Sequence, residues 1–191
     1  MKSSSRLIAT VLTALGCVLL AAPVAAAAPP PARQALAVTI YYSTGSAAEM
    51  ADEADQAAAI WNAGVTNMRL VRGTGGINVV TRNSGPAPGE ASCIGCTRGT
   101  IWMYRNQITS SGASALRVMV HEFGHILSLN HPSDIGNCSK VMAGGRCTNP
   151  QPSAAEFSAV QRYWARFPAF EPGLGTESGR VLDEARVLSA A

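Results

Sequence analysis

The chain has 191 residues, with 15 basic and 12 acidic side chains, a formal net charge of +3, and 47% hydrophobic residues. That length suits one domain rather than two. So small a charge, carried by scattered arginines, excludes a nucleic-acid surface, and the recurring Trp, Tyr, Phe, Val and Ile exclude an intrinsically disordered chain.

The first element is a leader. Lys2 and Arg6 precede an apolar run over 7–20, and Pro23 then leads into small residues over 25–28. This order predicts a secretory signal peptide over 1–28, cleaved after Ala28, and not a membrane span. Its removal lowers the formal charge to +1 and takes away Cys17, leaving Cys93, Cys96, Cys138 and Cys147. An even number of cysteines in an exported chain predicts two disulfides, with three possible pairings. The local pairing, 93 with 96 and 138 with 147, is the expectation. A redox Cys-x-x-Cys site is the rival reading of Cys93 and Cys96, but Gly89, Gly95 and Gly99 make the surroundings a loop rather than a helix start. No later stretch is apolar enough to cross a bilayer, so no membrane association is expected after export.

Residues 29–36 form a proline-led lead-in. Val38, Ile40 and Tyr42 alternate with polar neighbours and predict a first strand that Gly45 ends. Ser46 with Glu49 forms a capping-box pattern opening a helix over 47–63, its buried face made of Met50, Ala54, Ala57 and Trp61. Two short strands follow at 68–71 and 77–81, then a loop over 83–99 rich in Gly and Pro. Residues 100–104 are a further strand, placed at the sheet edge. A second helix is expected over 113–129, an irregular stretch over 130–152, and a third helix opened by Ser153 and Glu156, with Phe157, Val160 and Trp164 facing the core. The expected fold class is α/β (α+β): a small sheet and about three helices over 37–167, followed by a tail over 168–191.

All three histidines of the chain, His121, His125 and His131, fall within HEFGHILSLNH. Positions four apart lie on one helix face, so His121 and His125 can reach one zinc ion at about 2.1 Å. Glu122 follows the first histidine, where H-E-x-x-H patterns carry a general base. A third histidine completes three protein ligands and leaves one position for water, the catalytic arrangement. A straight helix would carry residue 131 about 9 Å along the axis beyond His125. The chain must therefore leave the helix between them, at Ser128 with positive φ, costing roughly 1–2 kcal/mol, or at Asn130, which tolerates that conformation better.

H-E-x-x-H with a third ligand six residues on resembles the metzincin zinc proteases. The runs AVTIYYSTG at 37–45, IWNAGVTNMRL at 60–70, HEFGHILSLNH at 121–131, CSKVMAGG at 138–145, CTNP at 147–150 and VQRYW at 160–164 are similar to those of the snapalysins, the small extracellular neutral proteases of Streptomyces. The resemblance implies a compact metzincin-like domain. It implies zinc held by His121, His125 and His131, water activated by Glu122, a tight turn carrying Met142 beneath the metal, and a Cys138–Cys147 disulfide. It also implies a preference for an aromatic side chain just after the cut.

The departures are specific. His131 stands where that family has aspartate, and Ser133 where it has a tyrosine. Its calcium-associated positions fall at Ser114 and Leu116, and Leu116 offers no side-chain oxygen for Ca2+. The expected function is a secreted, extracellular zinc metalloendopeptidase, a monomer acting on protein or peptide substrates, with residues 100–104 as the edge for strand addition. The alternative is a secreted zinc-binding module without turnover, suggested by Ser128, Ser133 and the short lead-in.

Overall fold

Alternation along the first strand sets the buried face of the sheet. In β1 (Val38–Ser46), Ile40 and Tyr42 are buried while Thr39 and Tyr41 are exposed. The computed structural model describes residues 37–167, so the expected leader, lead-in and tail lie outside the described residues. The sheet has five strands in the order β2-β1-β3-β5-β4, adding β2 (Met68–Arg72), β3 (Ile77–Arg82), β4 (Gly89–Ala91) and β5 (Gly99–Tyr104). All neighbours run parallel except β4, which is antiparallel to β5. No helix among the described residues is long and apolar enough to cross a membrane.

Helices α1 (Ala51–Gly64) and α3 (Ala115–Ile126) pack together over the buried face. Met50, Ala54, Ala57 and Trp61 are buried as their spacing predicts. The Trp61 indole donates to the Val120 carbonyl of α3 at 3.0 Å, and Phe123 meets Tyr42 edge-on at 5.6 Å between ring centres. Ile40, Val79, Ile101 and Met103 supply the sheet's side of this core. The other helices are α2 (Arg105–Ser111) and α4 (Ala154–Trp164), whose Val160 and Trp164 are buried. Ser153 and Glu156 form the capping box reciprocally at the start of α4.

Four expectations are corrected. The Ser46–Glu49 capping box does not form: Glu49 instead pairs with Arg105, 56 residues away, and a 3-10 turn at Ala48–Met50 leads into α1. Gly45 does not end the first strand, which continues through Ser46. Residues 105–111 form the extra helix α2, closed by Gly112 with positive φ. Residues 100–104 are not an edge, because β5 lies between β3 and β4. The edge on that side is β4, three residues whose Gly and Pro neighbours read locally as loop and which pair with the free side of β5.

Candidate metal centre

The site is built on α3. Ser114 caps its N-terminus by accepting from the Arg117 amide, and Val118, Met119, Val120, Phe123 and Ile126 anchor the helix in the core. That burial fixes the helix rotation, which brings His121 and His125 to the border of a cleft of about 390 Å3. Gly124, on the underside, lets Met142 and Trp61 pack directly against the helix backbone, since a Cβ there would collide with the Met142 sulfur.

The chain leaves the helix at Ser128, which takes φ +100°; Asn130 does not host the turn. The amides of Leu127 and Leu129 close the helix end on the carbonyls of Phe123 and Gly124. The reversal carries His131 back to the other two histidines. The Nε2 atoms of His121 and His131 lie 3.0 Å apart, and those of His125 and His131 3.2 Å. The three candidate ligand atoms are all within 4.8 Å of one another. His121 Nδ1–H donates to the Val141 carbonyl at 2.9 Å, and His125 Nδ1–H to the Leu129 carbonyl at 2.8 Å. Both rings therefore present Nε2 lone pairs to His131. A cation placed among the three Nε2 atoms would accept all of these lone pairs. Burial holds both rings neutral as well, lowering His121 to about 4 and moving His125 in the same direction. The donor set fits a divalent metal with imidazole ligands.

Glu122 is 5% exposed and turned against β4. A Cβ on Gly89 would lie 2.6 Å from its Oε1, so only glycine lets the carboxylate sit against the edge strand. Burial, with the Glu90 charge adding, pushes Glu122 up to about 8.

Beneath the histidines lies a 3-10 turn at Val141–Ala143, with Met142 1% exposed. Its amides are held by Glu156, whose Oε1 accepts from Met142 N at 2.8 Å and Oε2 from Val141 N at 3.2 Å. One buried carboxylate thus caps α4 and holds the turn whose carbonyl orients His121. Sequence reasoning found the capping role of Glu156 and missed this second one. It also missed Arg117, 2% exposed, whose guanidinium donates to the carbonyls of Lys140, Gly144 and Asn149 and braces that loop. No local pattern marks either role. Ser133 is exposed, and Ser114 is occupied as a helix cap, its hydroxyl directed at the Thr148 carbonyl.

Disulfides join Cys93 to Cys96 and Cys138 to Cys147. The second closes the loop around the Met142 turn. The first follows β4 and sits on the end of α3, where the amides of Gly95 and Cys96 donate to the carbonyls of His125 and Ile126. The Ile126 carbonyl, free at the helix C-terminus, thus gains a partner, and the His125 carbonyl accepts from Gly95 N as well as from Ser128 N.

Residues 37–167 match the Streptomyces extracellular neutral proteinase (M7) family. The extracellular small neutral protease of Streptomyces sp. (strain C5) is 38% identical over 136 residues, covering 68% of this chain and 57% of that protein. The protease of the same name from Streptomyces lividans is 37% identical, with 69% and 59% covered. The one from Streptomyces caespitosus is 34% identical over 132 residues, 67% of this chain and 98% of that protein. The chain thus spans less than three fifths of the length of the first two relatives and nearly all of the third. Among solved structures, metalloproteinase-II from Bacteroides fragilis superimposes with a TM-score of 0.45 at 14% identity, covering 70% of this chain and 55% of that one.

Proposed function

The chain belongs to the Streptomyces extracellular neutral proteinase (M7) family, and from that premise we propose that it is a secreted zinc endopeptidase whose catalytic residue is Glu122. The observation that carries this reading is the convergence of three imidazole nitrogens beside a buried carboxylate, on a cleft bordered by an edge strand. His121, His125 and His131 hold the zinc. When bound, zinc supplies Lewis acidity, polarising a carbonyl and acidifying water. Met142 supports the centre from below as part of the turn that orients His121.

The residues of the chain divide the remaining work. β4 receives the substrate. The residues flanking it, Pro88 and Ser92, bond to Tyr104 and Thr100 of β5, so by the alternation of an antiparallel pair the backbone groups of Gly89 and Ala91 face the open edge. An extended peptide adds there as a further strand. Glu122, packed against Gly89, lies beside that peptide. As water adds to the scissile carbonyl carbon, Glu122 takes one of its protons, and it delivers that proton to the amine nitrogen as the C–N bond breaks. Against the effect of burial, the carboxylate form of Glu122 that a base requires would be favoured by a cation held at the three histidines.

Residues 1–28 act as the export signal in this reading, consistent with relatives named as extracellular, and 37–167 form the protease domain. Every site residue comes from one chain, so a monomer suffices. Ser133 at the family's tyrosine position keeps a second reading open, a zinc-binding module without turnover.

One substitution separates the two. Glu122→Gln keeps size and shape but removes the proton acceptor. Casein hydrolysis by purified protein, sensitive to zinc chelation, should fall at least about a hundredfold in this variant, with metal content unchanged. A wild type that binds zinc and cleaves nothing supports the inert module; an active Glu122→Gln variant assigns the base elsewhere.

A further inference from the structure

The ring closed by Cys93 and Cys96 has work beyond capping α3. Its backbone is fastened on two sides. Gly95 N and Cys96 N donate to the carbonyls of His125 and Ile126 at 3.0 and 3.1 Å, and the Tyr163 hydroxyl of α4 donates to the Gly95 carbonyl at 3.0 Å. Gly95 has φ +66°, and a Cβ there would collide with the Tyr163 hydroxyl, so the ring is packed tightly against α4. The disulfide closes it covalently.

This rigid ring holds one large apolar side chain out into solvent. Ile94 is 52% exposed and lines the same cleft as His125 and His131. A single exposed isoleucine is ordinary on a protein surface. Here the backbone beneath it is tied at three hydrogen bonds and a disulfide, and it sits at the end of the edge strand that receives substrate. Ala87, Pro88, Ala91 and Val118 line the same cleft without charge. A contact held in place before binding costs little ordering entropy when a ligand meets it.

We infer that Ile94 is a specificity-determining residue, presented by the disulfide ring to an aliphatic or aromatic side chain lying N-terminal to the cleaved bond. The inference rests on the peptidase reading above. Its direction follows from the sheet. Antiparallel pairing is the more stable mode, and a peptide antiparallel to β4 runs with its N-terminal residues toward Ala91 and the ring, and its C-terminal residues toward Gly89. Ile94 lies three residues past Ala91, so the side chain it meets is a few positions from the bond rather than adjacent to it.

The test compares the zinc-loaded wild type, Ile94→Ser and Ile94→Leu on a proteome-derived peptide library, with cleavage sites read by mass spectrometry. The wild type should enrich apolar residues a few positions N-terminal of the cut. Ile94→Ser should lower kcat/KM for such peptides, relative to peptides with glycine there, by about tenfold, and Ile94→Leu should restore the preference. Wild-type cleavage without that preference, a preference unchanged in Ile94→Ser, or an Ile94-dependent preference on the C-terminal side overturns the inference alone. A wild type that cleaves nothing overturns the peptidase reading and this inference with it.

Discussion

Replacing Ser128 with glycine should stabilise the protein, which is uncommon for a change next to a functional site. Ser128 holds φ +100° where the chain turns from His125 toward His131. An L-residue with a Cβ pays roughly 1–2 kcal/mol for a left-handed backbone, and glycine removes that strain. Glycine in turn loses more backbone freedom on folding, at about 0.5–1 kcal/mol. The balance favours Ser128→Gly by about 0.5–1 kcal/mol, or about 1–4 °C in Tm for a domain of this size. The turn must be kept, since the Leu129 carbonyl behind it orients His125. Ser128→Ala is the control: it retains the Cβ, hence the strain, and should show no gain. Thermal and urea unfolding of all three forms at one fixed free zinc concentration decide the matter, because bound metal adds stability by mass action. If Ser128→Gly is no more stable than Ser128→Ala, the backbone at 128 carries no strain that glycine can relieve.

Gly89→Ala places a Cβ against Glu122 Oε1. It should lower kcat/KM about ten- to a hundredfold, since misplacement by about 1 Å costs on that order, while zinc content by atomic absorption stays at the wild-type level; activity above half of wild type refutes the contact. Glu156→Ala leaves the buried amides of Val141 and Met142 without acceptors and should cost about 2–4 kcal/mol, read from the urea midpoint, with a loss below about 1 kcal/mol counting against it. The Glu49–Arg105 pair should show in the pH dependence of stability. The Arg105 hydrogen bond lowers Glu49 from 4.5 to about 2, so the folded state holds the proton more weakly than the unfolded one. The stabilisation is therefore present above about pH 4.5 and is lost as pH falls toward 2. The difference between wild type and Glu49→Gln should shrink over that window, and a difference constant down to pH 2 would show that the pair contributes nothing through its charge.

Much of the fold was legible because it depends on neighbours in the chain. The alternation of Ile40 and Tyr42 marks the buried face of β1. The spacing of Phe123 and Ile126 on the face opposite the two histidines marks α3, and Ser153 with Glu156 marks the start of α4. The grouping of His121 and His125 follows from helical spacing in the same way. Other features depend on partners far along the chain. Ser46 and Glu49 carry a capping pattern, yet Arg105 takes the carboxylate, because a bidentate guanidinium pair outcompetes a local cap once folding brings it within reach. Residues 89–91 read as loop and become the sheet edge because β5 has an open side. Ser128 takes the strained turn in place of the more tolerant Asn130, since only a reversal that early returns His131 to the helix face. Glu156 serving two amides, Arg117 holding three carbonyls and the Cys93–Cys96 ring closing the end of α3 each join residues more than ten positions apart. A sequence encodes such pairings only through the folded whole, so residue types and periods named the local elements, and long-range packing decided which of them meet.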